Sequence, residues 1–146
     1  MPRSEVTVSI ARSPSEVFAV LSDVENTRKW YPKPVTEKWT SEGPVGVGST
    51  RRSEARAFGM RVENDAEVTV FDPDQALGLR SITGPVPFDI DIRISPTEEG
   101  TRVDWVTDLR PRGLYKAVVA LTMPAHTRTT HRGLLNLKSM MESGAL

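Results

Sequence analysis

The sequence has no cysteine and only two histidines, His126 and His131. Without cysteine the chain can form no disulfide, no thiolate nucleophile and no cysteine-ligated zinc site. On a helix, residues separated by five positions point about 140° away from each other, so the two histidines are not expected to share a metal ion. We therefore predict neither a bound metal nor a cofactor.

Long hydrophobic runs are also lacking. No apolar stretch approaches the roughly 20 residues that a membrane-spanning helix needs, and the N-terminus has no apolar segment or cleavage site of a secretory signal. We therefore predict a soluble, cytoplasmic protein with no membrane span. A chain of 146 residues can bury about two-thirds of its unfolded surface, so a single domain over residues 1–146 is expected.

Neither sign of charge is in excess, but the charges are unevenly distributed. The chain has 19 basic and 19 acidic residues, and from Arg110 onward six basic residues accompany a single acid, Glu142. This pattern indicates a basic helix whose solvated back lies over an acidic sheet, and the alternative is a surface for nucleic acid or an acidic partner. The basic side chains are spread around the helix and form no continuous stripe, so we predict no specific binding of nucleic acid.

Hydrophobic periodicity divides the chain into one strand, two short helices, six further strands and one long helix. Alternation of apolar and polar residues, clearest in FDIDIRIS from Phe88 onward, indicates half-buried strands. Ser13, Pro14 and Glu16 have the spacing of a capped helix start. The strands are expected at 5–11, 35–40, 49–58, 61–71, 76–83, 88–94 and 103–109, and the helices from 13, from 23 and over 114–141. Such a sheet buries its apolar face by curling around the long helix, an α+β arrangement that leaves room for a cavity.

The face of the long helix that should be buried has a polar centre. Its apolar members are Tyr115, Val119, Met123, Leu134, Leu137 and Met141. His126 and Thr130 fall on the same third of the circumference. Because polar groups are seldom buried without partners, these two either bond internally or line a cavity. Pro124 removes one helix hydrogen bond, so the helix either begins in two pieces or kinks beside His126 and opens the cavity mouth.

Four segments carry a resemblance to a known superfamily: SPSEVFAVLSDVENTRKWYP at 13–32, VGVGSTRR at 45–52, VTVFDPD at 68–74 and GLLNLKSMME at 133–142. Together with the order of elements, they resemble the START-like, Bet v 1-type (SRPBCC) superfamily and, within it, the polyketide cyclase/dehydrase-like group. The resemblance implies a helix-grip fold, in which a seven-stranded antiparallel sheet curls around the C-terminal helix and encloses a deep hydrophobic pocket. The group includes aromatase/cyclases, lipid and sterol carriers, hormone receptors and chaperone activators, so the fold alone selects no function.

Inward-facing aromatic and helical side chains are the candidate ligand contacts. His126 is either a core histidine with an internal hydrogen bond or a ligand contact and general base, which makes it the candidate catalytic residue. Trp30 and Tyr31 either plug one end of the sheet or form an aromatic lid over the cavity. The expected ligand-binding set is Met123, His126, Thr130, Phe88, Trp105, Trp30 and Tyr31.

Charged residues on the strands are expected to face solvent, with one possible exception. Arg52 and Arg56 share a face, and Arg51 and Arg61 share one if no bulge intervenes; one inward guanidinium among them would hold a carboxylate or phenolate of a ligand. The acids of the alternating strands occupy outward faces, so no carboxylate pair is predicted inside the cavity. Ser-His-Asp order, HExxH, Walker A and GxGxxG motifs are absent from the sequence.

Three hypotheses follow. The first is a protein that binds a hydrophobic or polycyclic small molecule, such as a polyketide, lipid or isoprenoid, between the sheet and the C-terminal helix. The second is a polyketide aromatase/cyclase or dehydratase that uses the same cavity, with His126 moving protons and the cavity folding the substrate. The third is a regulatory or interaction protein that uses the basic C-terminal helix.

Overall fold

The computed structural model describes residues 2–57 and 60–146. In chain order the elements are β1 (Arg3–Ile10), α1 (Pro14–Ser22), α2 (Val24–Trp30), β2 (Val35–Trp39), β3 (Thr50–Ala57), β4 (Met60–Asp72), β5 (Ala76–Thr83), β6 (Phe88–Thr97), β7 (Gly100–Leu109) and α3 (Tyr115–Glu142). The predicted order of elements is confirmed, with bounds that shift by a few residues. Phe58, where the third predicted strand was expected to end, lies outside the described residues.

Within the described residues, the strands form one antiparallel sheet in the order β1-β7-β6-β5-β4-β3-β2. The strands β1 and β2, far apart in this order, are the two edges of the sheet. Helices α1 and α2 connect the edges, and the C-terminal part of α3 packs its buried face on the core. The predicted α+β helix-grip fold is therefore confirmed.

Local signals explain where the two short helices begin and end. The Ser13 side chain accepts a hydrogen bond from the Glu16 amide at 3.2 Å, while the Glu16 carboxylate accepts one from the Ser13 amide, so the predicted capping box is present. Asp23 caps α2 by accepting from the Glu25 amide at 3.0 Å. Pro32 and Pro34 follow directly after α2, where a further helical turn would need amide donors that proline lacks.

Helix α3 is continuous through Pro124, so the alternative of a helix that begins in two pieces is wrong. Its C-terminal half supplies Leu134, Leu137 and Met141 to the core, each almost fully buried. The first turns are different: Leu114 is 90% exposed and Tyr115 is 44% exposed. The prediction that Tyr115 faces the core is therefore wrong, because the first turn of α3 is left uncovered while the apolar stripe of the sequence continues through it.

Candidate functional site

A cavity of about 230 Å³ lies between the inner face of the sheet, helix α2 and the middle of helix α3. Aliphatic and aromatic side chains form most of its wall, and a few polar groups are set among them. The lining residues are Leu21, Thr27, Trp30, Tyr31, Val35, Glu37, Arg51, Ala55, Leu77, Leu79, Phe88, Ile90, Ile92, Trp105, Thr107, Leu109, His126 and Thr130. An apolar concave site with few polar groups is the usual form of a small-molecule site.

The strands β6 and β7 build the floor of the cavity through their register. Three directly opposed pairs, Phe88 with Leu109, Ile90 with Thr107, and Ile92 with Trp105, point to the same face of the sheet. All six side chains line the cavity. The period of two along each strand brings every second residue of both strands to this face, which is why the apolar positions of the alternating sequence become the floor.

Trp30, the last residue of α2, and Tyr31, which follows it, close one side of the cavity. The Trp30 ring is 4% exposed and meets the Trp105 ring edge to face, with the ring centroids 5.9 Å apart. The Trp30 carbonyl accepts a hydrogen bond of 3.2 Å from Nδ2 of Asn136 on α3. Gly133 on α3 allows this approach, since a Cβ there would lie 3.2 Å from Cζ3 of Trp30. Trp30 is therefore a part of the wall that is tied to α3, and Tyr31 lines the cavity beside it.

Helix α3 contributes His126 and Thr130 to the cavity, one turn apart. His126 is half-buried, and its buried Nε2 has no hydrogen-bond partner among the described residues. Burial, and in second place the positive charge of Lys33, lowers the pKa of His126 below its usual value of 6.5. The imidazole is therefore neutral near pH 7 and keeps a ring nitrogen that can accept a proton or a hydrogen bond.

A buried ion pair, Glu37 with Arg51, lies at the side of the cavity below α2. The Arg51 Nη1 and Glu37 Oε2 atoms are 3.0 Å apart, and the two side chains are only 15% and 9% exposed. The alignment is too poor for a hydrogen bond, so Oε2 of Glu37 lacks a hydrogen-bond partner within the described part of the chain. Glu37 lies opposite Ser53 in the register, which makes Arg51 its diagonal neighbour on the same face.

Around this ion pair, burial is the largest influence on the pKa values of the titratable side chains. Burial raises the pKa of Glu37, although the positive charge of Arg51 and a hydrogen bond from Thr27 oppose the shift. Burial also lowers the pKa of Arg51, and the Glu37 charge opposes that change. The pKa of Tyr31 is raised by burial and then by the negative charge of Glu37. Perturbed titratable groups that meet in one cavity are typical of functional sites.

The structure brings six of the seven predicted ligand-binding residues to the cavity; these are His126, Thr130, Phe88, Trp105, Trp30 and Tyr31. Met123 is half-buried and is not among the lining residues. The sequence reasoning missed Glu37, although the signal was present, because Glu37 lies midway between Val35 and Trp39 on one face of a strand. A carboxylate flanked at two residues on either side by apolar side chains has the position of an inward residue.

The four arginines of the β3–β4 region divide between the two faces of the sheet. Arg56 lies directly opposite Arg61, whereas Arg51 lies opposite Ala66, and the register runs without a shift between these pairs. The prediction that Arg51 and Arg61 share a face is therefore wrong, because Arg61 is paired with an outward residue. Arg52 is also outward, and only Arg51 of the four lines the cavity.

No group of three or more His, Asp or Glu side chains that would suit a metal ion occurs in the part of the chain that the structure describes. Among the described residues, no helix is both long enough and apolar enough to cross a membrane.

A family model described as polyketide cyclase/dehydrase and lipid transport matches residues 1–142. The chain belongs to this family. Curated proteins are also similar to this chain: the uncharacterized protein Rv2574 of Mycobacterium tuberculosis is 26% identical over 136 residues, which cover 90% of this chain and 80% of the relative. A second uncharacterized protein of that organism, Rv1546, is 26% identical over 118 residues, with 79% and 81% covered.

Solved structures show the same fold at low sequence identity. The crystal structure of TTHA0849 from Thermus thermophilus superimposes with a TM-score of 0.82 at 17% identity and covers 99% of this chain and all of that one. The solution structure of the Aha1 dimer from Colwellia psychrerythraea gives a TM-score of 0.67 at 20% identity, with 97% of each chain covered. The family and the fold are therefore shown, and the ligand has to be argued from the cavity itself.

Proposed function

We propose that this protein binds a small, largely apolar molecule in the cavity between the sheet, α2 and α3. The observation that carries the proposal is the composition of the wall: aliphatic and aromatic side chains surround a space of about 230 Å³, and a small number of polar groups converge on it. A folded core is normally packed without voids of this size. A space lined in this way is the usual site for a ligand that is mainly apolar.

The volume limits the size of the ligand. Sites for drug-sized ligands usually enclose about 300–1,000 Å³, and this cavity lies below that range. The proposal therefore favours a molecule of one or two rings, or a short acyl chain, over a large polycyclic polyketide. Polar contacts are available from Thr107 on the floor, His126 and Thr130 on α3, and the Glu37–Arg51 pair.

Fluorescence titration with the neutral apolar probe N-phenyl-1-naphthylamine tests the proposal directly. Ala55 lines the cavity, so Ala55→Phe places a ring in the space and should abolish the increase in probe fluorescence. Arg56 is the next residue of the same strand and is exposed, so Arg56→Phe is the matched control and should bind like the wild type. Equal binding by all three proteins, or no binding by the wild type, would contradict the proposal. Mass spectrometry of material extracted from the purified protein would then identify any ligand carried over from the cell.

His126 is the proposed polar contact for this ligand. Loss of one hydrogen bond to a ligand is worth about 1–3 kcal/mol, so His126→Phe should weaken binding of an apolar probe with a polar tip by roughly 5- to 150-fold. The expected change in stability is small, because the Nε2 atom of His126 has no hydrogen bond to lose within the described part of the chain. Thr130→Val, one turn away, is the second test of the same wall. If all three proteins bind a polar-tipped probe equally, neither side chain is a ligand contact.

Acid–base catalysis on a bound molecule is the second candidate, in line with the family description. The observation that favours it is the meeting of a carboxyl group with a raised pKa, Glu37, and an imidazole with a lowered pKa, His126, in one apolar cavity. An enzyme of this type should cyclise or dehydrate a reactive poly-β-carbonyl chain, and both His126→Phe and Glu37→Gln should lower its rate. Binding without turnover in such an assay would leave the binding function as the better conclusion.

A further inference from the structure

The guanidinium of Arg51 has unused capacity to donate hydrogen bonds. It meets Glu37 through one contact, Nη1 to Oε2 at 3.0 Å, which is not aligned as a hydrogen bond. The next residue of the strand, Arg52, forms a two-point ion pair instead: its Nε donates to Oδ1 of Asp65 at 2.9 Å and its Nη2 donates to Oδ2 at 3.4 Å. Arg51 is thus a cavity-lining arginine with an incomplete carboxylate partner.

An incomplete pair of this kind is costly inside an apolar cavity. Both charges have lost most of their water, with side-chain exposures of 15% for Arg51 and 9% for Glu37. Compensation for that loss requires good geometry and hydrogen bonds to the remaining donors. A planar carboxylate that approaches Arg51 from the cavity would fit the fork of the guanidinium with two parallel hydrogen bonds, which is the geometry that arginine favours.

We infer that the ligand of this cavity carries a carboxylate, that Arg51 binds it in a bidentate manner, and that Glu37 takes up one proton when the ligand enters. This inference rests on the proposed binding function and names the class of ligand: a small apolar carboxylic acid, bound as its anion. The charges balance, because one carboxylate replaces another beside Arg51 and the proton that Glu37 gains comes from solvent.

Two other titratable groups lie near Glu37. Tyr31, the residue after α2, is protonated and neutral because its pKa is raised, so it takes up no proton. His126 on α3 is a neutral imidazole that can accept a proton, but it is Glu37 that loses its counter-charge when the ligand takes Arg51, and the Glu37→Gln variant below separates the two acceptors. Lys33, in the segment after α2, is exposed, and its positive charge helps to lower the pKa of His126. Glu37, whose pKa burial already raises, is the carboxylate that most readily accepts a proton in the cavity.

Isothermal titration with 2-naphthoate and its neutral analogue 2-naphthamide tests the inference in the wild-type protein. Naphthoate should bind at least about tenfold more tightly, because a charged hydrogen bond is worth about 1.5–3 kcal/mol. In buffers that differ in ionisation enthalpy, naphthoate binding should take up close to one proton and amide binding none. Naphthoate affinity should also fall as the pH rises above the pKa of Glu37, since the proton becomes harder to acquire.

Variants test the roles of Arg51 and Glu37 separately. Arg51→Gln should weaken naphthoate binding by about 10- to 100-fold and affect amide binding much less, whereas Arg52→Gln, on the outer face, should change neither. Glu37→Gln should tighten naphthoate binding and abolish the proton uptake, because the internal competitor is gone. Arg51→Lys keeps the charge without the fork and should recover only part of the affinity, which provides a second test if Arg51→Gln folds poorly.

Two results would overturn the inference while the binding function stands. The first is wild-type binding of the amide that equals or exceeds binding of naphthoate. The second is naphthoate binding without proton uptake that is insensitive to a folded Arg51 variant. If the wild type binds neither of these probes nor N-phenyl-1-naphthylamine, the proposed function fails and this inference fails with it.

Discussion

Removal of one partner of the buried Glu37–Arg51 pair should destabilise the protein far more than removal of both. Arg51→Met leaves the Glu37 carboxylate in a site where it is 9% exposed and has no other cation to pair with among the described residues. Breaking a buried pair in this way typically costs about 3–5 kcal/mol. With a urea dependence of about 2 kcal/mol per M, the unfolding midpoint should fall by roughly 2 M.

The double variant Glu37→Leu/Arg51→Met should recover most of this loss. Replacement of a buried ion pair by apolar side chains of similar volume is often neutral or stabilising, so we expect a stability within about 1 kcal/mol of the wild type, or above it. Arg52→Met is the matched control, because Arg52 pairs with Asp65 on the outer face and is much more exposed than Arg51. Its unfolding midpoint should remain near that of the wild type.

The pH dependence provides an independent check on this reasoning. Because burial raises the pKa of Glu37 above the usual 4.5, the folded state holds this proton more tightly than the unfolded chain does. The contribution of Glu37 to stability is therefore complete below about pH 4.5 and is lost as the pH rises through the pKa of the folded state. Loss of Arg51 raises that pKa further, so the penalty of Arg51→Met should grow with pH above 4.5. The argument would be refuted if, at all pH values, the double variant lost as much stability as the single variants Glu37→Leu and Arg51→Met lose when their losses are added.

Three further predictions concern α3. Because burial and the charge of Lys33 lower the pKa of His126, its imidazole binds a proton more readily in the unfolded chain than in the folded protein, so stability should decline as the pH falls below about 6.5. His126→Gln should remove this decline in the urea midpoint, and the exposed control His131→Gln should retain it. Equal pH dependence of the urea midpoint in both variants would contradict the prediction. Gly133→Val should lower the free energy of unfolding by about 1–3 kcal/mol and change the near-ultraviolet circular dichroism of Trp30, because the added carbon lies 3.2 Å from that ring. An unchanged urea midpoint and spectrum would show that the ring moves aside without cost. The basic helix should give no sequence-dependent gel shift with nucleic acid at about 0.15 M salt, where weak electrostatic binding is screened, and a tight specific shift would move the interaction hypothesis to first place.

The elements that were predictable from the sequence are those with strong local signals. The alternation from Phe88 onward fixed β6 to within a few residues, and the capping box at Ser13 fixed the start of α1. The continuity of α3 through Pro124 was not predictable in this way, because a proline costs helix stability locally and only the packing of both halves decides whether the helix continues.

The candidate site was less predictable than the fold, for reasons of register. His126 and Thr130 were found because helical periodicity places them on a buried face without any knowledge of the partner strands. Arg51 is different: alternation separates it from Arg52, but which of the two points inward depends on how β3 pairs with β2 and β4. Glu37 was missed because residue type was given more weight than its place between two apolar residues of the same strand.

The buried apolar core and the buried ion pair of the cavity lie in different parts of the fold. Several side chains that are almost fully buried, including Ile10 on β1 and Leu134 and Leu137 on α3, lie where β1 packs against α3. The ion pair lies toward the opposite edge of the sheet, on β2 and β3, where α2 covers it.

Replacement of Glu37 on β2 and Arg51 on β3 together can therefore change the polar groups of the cavity while the packing between α3 and β1 keeps the fold. Distant sites of this kind usually contribute independently to stability. This arrangement is consistent with a fold that is retained at 17% sequence identity and in which the ligand has to be inferred for each chain from its own cavity residues.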